Sequence, residues 1–383
     1  MLKLLYFASN IVEKQSIDVV IPSFRLDEAI LLTIFKLKQP EDVEINFYLI
    51  ADNPVADIPL PIRQLADSGK IRLIINEVNL GFSLTRNKGI DAGTGQWILL
   101  LDDDIVPDAN LLIAYAKSLK QYPQSIGFVG VTHFPEPQND VTRALVLNGS
   151  VGHFQSALHH AELMWAPTAN MMFNRQLLQD RRFMVDLRKG GEDIELLLRN
   201  SLANNQKYKS VPEAVVTHPW WDNGAIQTRR MFRYGEGASE ISVLDTIKPY
   251  TYRDFTNTSE TLMIILFLTI ITSMMGFNPT VFYEIAGLLI FTEFFINLIR
   301  SVFLSNNFSL SLAFQMMWHK NAYEAGYLWS SIRGGRFSTF GKRIDTGFKK
   351  VNPSPFRLNK WKIIKLLAMI AGITYLIFAF QAV

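Results

Sequence analysis

The chain has 383 residues, a formal net charge of +3 and 49% hydrophobic residues. That length allows one large or two ordinary domains. The absence of cysteine excludes a disulfide framework, a thiol nucleophile and a cysteine zinc site, and fits a reducing compartment. The apolar residues are concentrated late: segments 261–304 and 361–380 are far more apolar than segment 1–250. Residues 1–8 (MLKLLYFA) turn polar too soon for a signal peptide, so the N-terminal domain is expected to stay in the cytosol.

Residues 17–22 (IDVVIP) read as a buried strand, with Pro22-Ser23 opening a loop and 27–37 a helix. Residues 46–51 are a second strand, closed by Asp52-Asn53-Pro54. Residues 71–75 are a third strand, followed by a helix over 84–92, a fourth strand over 97–101 and a helix from 110 to about 120. This alternation predicts a mostly parallel sheet with right-handed crossovers. No GxxxxGK[ST] occurs, and no GxGxxG follows the first strand. A nucleotide would therefore have to be held by carboxylates and a metal.

The fourth strand delivers Asp102-Asp103-Asp104 at its C-terminal end, where open α/β sheets bind ligands. Charges there are costly unless a partner such as a divalent cation neutralises them. Taken alone, the triplet also suits a solvated turn.

The pattern is less regular over 128–216. A helix is predicted over 193–203, a strand over 214–217 ending in His218-Pro219, and a helix over 225–241 carrying Arg229, Arg230 and Arg233. Residues 261–277 then form an apolar run just long enough to span a bilayer with its flanks. Segment 281–304 is longer but holds Glu284, Glu293, Asn297 and Arg300, which also suits a buried globular helix. Segment 361–380 is a third candidate span. Between the second and third, residues 333–365 carry ten Lys and Arg against the single acid Asp345. The positive-inside rule places that loop in the cytosol, on the side of the N-terminal domain. Residues 308–332, polar among aromatics, read as a helix lying in the membrane interface, with the basic loop against anionic headgroups.

Asn79-Leu80-Gly81, Arg86-Asn87-Lys88-Gly89-Ile90, Ala92, Gly95 and Leu101-Asp102-Asp103-Asp104 resemble, in order and spacing, the nucleotide-sugar domain of the family 2 glycosyltransferases. Thr85 stands where Ala is usual. With Ile21-Pro22 and Gly191-Glu192-Asp193, the resemblance covers roughly residues 17–240. It implies an α/β GT-A nucleotide-sugar-binding domain with a mostly parallel sheet over 1–250, followed by a membrane region over 251–383.

The resemblance also implies roles. Asp104 would be the direct ligand of Mg²⁺ or Mn²⁺, with Asp102 sharing the metal and lying nearer the ribose, and Asp103 a solvated or outlying bystander. Asp52 would contact the base, its alternative being an Asx turn beside Pro54. Pro22, Asn79, Gly81, Arg86 and Asn87 would surround the nucleotide. Gly81 and Gly89 suit tight turns or close packing. Asp193 would be the general base, although Glu192-Asp193 could also cap its helix. One base with no opposing nucleophile suits single displacement with inversion. His218 would complete the metal site or be structural.

Gln227-Thr228-Arg229-Arg230-Met231 resembles the Q-x-x-R-W element of processive synthases, but Met231 replaces Trp and counts against processive synthesis. Arg230 and Arg233 would face the diphosphate or, alternatively, lipid. Trp220-Trp221 would flank an acceptor sugar or sit at the membrane interface. His159, His160 and Trp165 fall where the acceptor pocket is usually shaped.

The expectation is a multi-pass enzyme of the cell (inner) membrane with its catalytic domain in the cytosol. It would be an inverting, metal-dependent glycosyltransferase using a nucleotide-sugar donor and a lipid-linked or saccharide acceptor. Membrane lipids are expected partners and nucleic acid is not. A polyprenyl-phosphate glycosyl synthase is the alternative, one needing less of a base because its acceptor is already ionised. A catalytically inactive nucleotide-sugar-binding scaffold is the rival from another class. Donor base, sugar, acceptor and oligomeric state are left open.

Overall fold

The computed structural model describes residues 14–354 and 357–381. Segment 1–8, expected not to be a signal peptide, lies outside them.

Strand β1 (Gln15–Ser23) leads to α1 (Glu28–Phe35), whose N-terminus is capped by Asp27 accepting from the Ile30 N–H. β2 (Val43–Ala51), α2 (Leu60–Asp67), β3 (Arg72–Ile75), α3 (Phe82–Ala92) and β4 (Trp97–Leu101) complete the alternating half. β1 lies parallel between β2 and β4, and β3 flanks β2. All five residues of β4 are buried, as expected for a strand covered on both faces. Helix α2 starts at Pro59-Leu60-Pro61, where proline's fixed φ suits a first turn, and its sparse apolar stripe hid it from the sequence reading.

The second half is mixed rather than parallel. After β5 (Val106–Pro107) and α4 (Leu111–Gln121) come β6 (Gly127–His133), α5 (Asp140–Leu147), β7 (Glu162–Leu163), β8 (Asn170–Asn174) and the one-turn α6 (Arg175–Leu178). α7 (Glu192–Asn204), β9 (Tyr208–Thr217) and α8 (Thr228–Ile241) follow. β8 inserts antiparallel between β4 and β6, β6 runs parallel to β9, and β5 and β7 pair antiparallel with β9. The nine strands form one sheet with a hydrophobic layer on each face.

The C-terminal part comprises β10 (Thr251–Arg253), α9 (Thr258–Met274), α10 (Thr280–Ser305), α11 (Leu310–Arg333), β11 (Lys342–Ile344) and α12 (Lys360–Gln381). β10 pairs antiparallel with β11. α10 and α12 are long and apolar enough to cross a membrane, while α9, with 17 residues, is shorter.

Helix α11 differs from the interfacial helix expected over 308–332. It crosses α8 so closely that a Cβ on Gly235 would overlap the Tyr323 carbonyl, and one on Gly326 the Phe232 carbonyl. Ser239 and Ser331 hydroxyls lie 3.0 Å apart at the crossing, and the Tyr327 hydroxyl donates to Ser242 Oγ at 3.1 Å. Leu310, Phe314, Trp318, Trp329 and Ile332 remain exposed, so one face is docked and the other is open.

Segment 281–304 likewise combines both of its expected readings. Its first half carries exposed Tyr283 and Glu284, whereas Glu293, Asn297 and Ser301 are buried in the second. Glu293 is neutralised by Lys320 Nζ on α11 and Lys365 Nζ on α12, each at 2.6 Å. A buried charge survives only with such partners.

Candidate active site

A cavity of about 730 Å³ opens at the C-terminal ends of β1, β2 and β4, and α7 and α8 form its opposite wall. Pro22, Asp52, Asn79, Gly81, Arg86, Asp102, Asp104, Asp193, Arg230 and Arg233 all line it. Asn87 and His218 do not, and lie just behind the wall.

The middle acid of the triplet is not solvated. Asp103 is buried, and its Oδ2 accepts from Ser23 Oγ at 2.8 Å and from the Phe24 and Arg25 N–H groups, each at 3.1 Å. Arg25 Nη1 donates to Oδ1 at 2.7 Å. Ser23 Oγ in turn accepts from the Leu26 N–H, holding Leu26 at a φ of 53°, an uncommon conformation for a leucine. Asp103 therefore organises the loop after β1, correcting the bystander expectation. Burial raises its pKa against the pull of Arg25 and Ser23.

Asp52 makes no Asx turn. Buried at the end of β2, it accepts from Asn76 Nδ2 at 2.7 Å and from the backbone N–H groups of Leu80 and Gly81 at 2.8 and 2.9 Å. Gly81, at a φ of 77°, supplies the turn into α3 that lets both amides converge on one carboxylate. Gly89 packs on Val20, where a Cβ would overlap it.

Arg86 bridges two acids from different elements. It donates to Asp102 Oδ1 and to Glu192 Oε1, each at 3.0 Å. Burial opposes its charge, but Asp102 and Glu192 outweigh burial and hold its pKa above the ordinary value. Asn87, expected at the nucleotide, instead donates its amide to the Phe183 carbonyl and accepts from the Phe183 N–H, both at 2.9 Å. With its side chain so occupied, it fastens the segment before α7 to α3.

His218 Nε2 lies 3.2 Å from Asp104 Oδ1, and His218 Nδ1 is 2.6 Å from the Pro219 carbonyl. Phe134 stacks on the imidazole at 5.1 Å. Because Nδ1 donates to Pro219, a neutral imidazole turns its Nε2 lone pair toward the carboxylate, which calls for a proton or a cation between them. Burial works against both charges, yet the pairing wins: His218 is raised and Asp104 lowered. Arg25 Nη2 also reaches Asp104 Oδ2, at 3.1 Å. Among the described residues no group of three or more His, Cys, Asp or Glu is gathered for a metal ion. Asp104 and His218 still fit a cation that takes its remaining ligands from water and substrate phosphate, as Mg²⁺ commonly does.

Asp193 occupies the first turn of α7 behind Gly191, which has a φ of 91° and is the residue at the cap position. Its Oδ1 accepts from the adjacent Ile194 N–H at 2.8 Å, and Gly191 rather than Asp193 holds the cap position, so it does not cap the helix as expected of Ser, Asp or Asn at that end. Burial, and then the charge of Glu192, push its pKa up to about 7.

Gln227 is buried and fixes the end of the site: its amide donates to the Trp221 and Ala225 carbonyls, and its Oε1 accepts from Arg230 Nε at 3.0 Å. Arg230 lies over the Trp221 ring at 4.6 Å, and both Arg230 and Arg233 line the cavity. Trp220 and Trp221 are buried with Met231 and Phe134, packed behind the cavity lining rather than lining it themselves.

Residues 18–181 match the family model described as Glycosyl transferase family 2. The match takes in Asp52, Arg86 and the acidic triplet, and ends before Asp193, His218 and the α8 arginines. Solved structures that resemble the chain include S. aureus TarS, at 16% identity and a TM-score of 0.42, covering 60% of this chain and 40% of that one. S. aureus TarS 1–349 in complex with UDP covers 84% of this chain and 92% of that one, at 14% identity and a TM-score of 0.46. The complex of TarS 1–349 with UDP-GlcNAc has the same identity and coverage, at a TM-score of 0.45. The chain thus spans 40% of the longer TarS chain. No curated protein matches it. The architecture itself is an α/β GT-A-like fold with a mostly parallel central sheet.

Several lining residues escaped the sequence reading. Arg25 follows the first strand without any motif. Tyr323, Ile344 and Thr346 come from beyond residue 250, so α11 and β11 complete a cavity assigned to the N-terminal domain alone. Trp165 lines the cavity and donates its indole N–H to the Thr346 carbonyl at 2.6 Å. His159 and His160 are exposed outside it, whereas His153, 4.9 Å from Trp165, lines it. The glycines at 235 and 326 were the one signal that two helices meet closely.

Proposed function

We propose that the chain is a membrane-anchored, metal-dependent, inverting glycosyltransferase that moves a sugar from a nucleotide-sugar donor to a hydroxyl of a lipid-linked or saccharide acceptor. The observation that carries this reading is the meeting in one cavity of Asp104, held from behind the wall by His218, with Asp193, a carboxyl whose pKa is raised to about 7. The cavity's size lies within the range of small-molecule sites.

Each residue has a role in that reaction. Asp52 holds the 79–81 loop as a rigid wall for the base. Arg86 keeps Asp102 beside the ribose, and Arg230, oriented by Gln227, reaches the diphosphate with Arg233. Asp104 and His218 would hold Mg²⁺ or Mn²⁺. Such an ion supplies positive charge to a nucleoside diphosphate leaving group. Asp193 accepts the acceptor hydroxyl proton as its oxygen bonds to the anomeric carbon and the carbon–phosphate-oxygen bond breaks. A positioned base of this kind contributes about 10²–10⁴-fold. In this reading Asp193 acts as a base rather than as a nucleophile, so displacement is direct and inverting.

Helices α9, α10 and α12 would anchor the domain at the cytosolic face of the cell (inner) membrane, raising the effective concentration of enzyme at a lipid-borne acceptor. The test is hydrolysis of UDP-, GDP- and dTDP-sugars by the purified full chain with Mg²⁺ or Mn²⁺. Turnover of one nucleotide class, lost on chelation, is expected. No turnover of any donor with either ion would overturn the reading.

A further inference from the structure

A second cavity, of about 610 Å³, lies where α10, α11 and α12 meet the catalytic domain. Asn148, Ser150, Met231 and Tyr323 line both this cavity and the candidate active site, so the two spaces share a wall. Five cationic side chains, at 300, 320, 343, 362 and 365, line the second cavity against two acids, Glu293 and Glu324.

Most of those cations are already matched. Lys320 and Lys365 pair with Glu293, Lys362 with Asp254, and Arg343 with Glu260. Arg300 is different. It donates only to neutral groups, Asn148 Oδ1 at 2.8 Å and the Leu147 carbonyl at 2.9 Å, and meets no carboxylate among the described residues. Beside it in the same lining, His319 is 1% exposed and neither ring nitrogen has a partner among the described residues. Buried imidazoles are ordinarily hydrogen-bonded, so this one points to an absent acceptor or donor.

The mouth of the cavity has a different character. Leu304 on α10 and Trp361 on α12 line it, and exposed Phe303 packs edge-on against Trp361 at 5.6 Å. These are the two helices long and apolar enough to cross a membrane. An unmatched guanidinium inside and an aromatic-aliphatic entrance between such helices suit an anion attached to a hydrocarbon chain.

We propose that this cavity holds the phosphate of a lipid, with Arg300 and His319 as its polar partners and its hydrocarbon chain passing out between α10 and α12. Resting on the transferase reading above, it makes that lipid the acceptor's carrier: the group attached to the phosphate reaches Asp193 across the wall of Asn148, Ser150, Met231 and Tyr323.

The test is photolabelling of the full chain in micelles of a phosphate-free maltoside detergent with a diazirine-bearing isoprenyl monophosphate, with adducts mapped by mass spectrometry. Adducts are expected on the peptides carrying Leu304 and Trp361, displaced by unlabelled isoprenyl phosphate and not by inorganic phosphate. Arg300→Gln should weaken the labelling about ten-fold or more, since a charge-assisted bond is lost. Leu304→Trp should block the mouth without removing a charge, and it decides the matter if Arg300→Gln lowers the melting temperature. Equal labelling of α9, α10 and α12, unchanged by both variants, would overturn the proposal. So would displacement by inorganic phosphate alone, which would mark a free-anion site. No nucleotide-sugar enters this assay, so its failure is distinct from failure of the transferase reading.

Discussion

His218 faces Asp104 with Nε2 3.2 Å from Oδ1, while its Nδ1 is committed to the Pro219 carbonyl. One side chain comes from the loop after β4 and the other from the end of β9, and that juxtaposition decides the protonation state of both. Asp104→Ala should abolish metal-dependent donor hydrolysis, and His218→Ala should reduce it by at least about 10–100-fold, the cost of losing even a partner that only supports a metal ligand. Titration of Mn²⁺ in the presence of nucleotide checks this. Wild-type activity for Asp104→Ala in chelator-treated buffer would refute the metal assignment.

Asp103→Ala should be destabilising rather than silent. The substitution removes the acceptor of the buried Ser23 Oγ and of the half-buried amides of Phe24 and Arg25, and a buried unpaired group costs about 1–3 kcal/mol. Thermal unfolding should show a clear drop in melting temperature, with Asp103→Asn falling between alanine and wild type. A variant as stable as wild type would mean that the loop after β1 does not depend on this carboxylate.

For Asp193 the pH dependence has a definite sign. Its folded pKa is raised to about 7, above its ordinary value. The protonated form therefore favours the fold at low pH, and this contribution is lost as pH rises toward 7. Asp193→Asn should match wild-type stability near pH 3.5, gain on it between about pH 4 and 7, and keep a constant lead above that. Transfer by the wild type should rise through about pH 7 as the base ionises, whereas the Asn variant should be slower by orders of magnitude at every pH. Melting curves and initial rates over the same buffers test both arms. A fully active Asn variant would end the catalytic assignment.

Gly326→Ala should loosen α11 from α8, because its Cβ would overlap the Phe232 carbonyl. Overpacking of this kind costs about 1–3 kcal/mol. Since Tyr323 lies on the same helix and lines the cavity, KM for the donor should rise along with the fall in melting temperature. An unchanged KM in a destabilised variant would show that α11 supports the fold without shaping the site.

The sequence by itself determined the alternating half of the fold and the position of the acidic triplet. The strand at 97–101 is a continuous apolar run, those at 17–22 and 46–51 are apolar but for Asp18 and Asn46, and covalent order alone puts Asp52 and Asp102 at strand ends. Those signals are local. What each carboxylate does is not, because it depends on which donors converge on it from elsewhere in the chain. Asp103 reads as a solvated turn until the loop after β1 closes over it from 78 to 80 residues away. Arg86 could have been a surface ion pair, and became a bridge only when α7 brought Glu192 beside it. In α10, Glu293 looked like a defect in a span, and tertiary packing supplied Lys320 and Lys365 as its counter-charges. Tyr323 and Thr346 joined the cavity because two glycines let α8 and α11 approach to backbone contact, a steric fact that no periodicity encodes. Short-range pattern specifies elements through burial and turn chemistry, whereas charge pairing and backbone contact between distant segments exist only once the chain has folded.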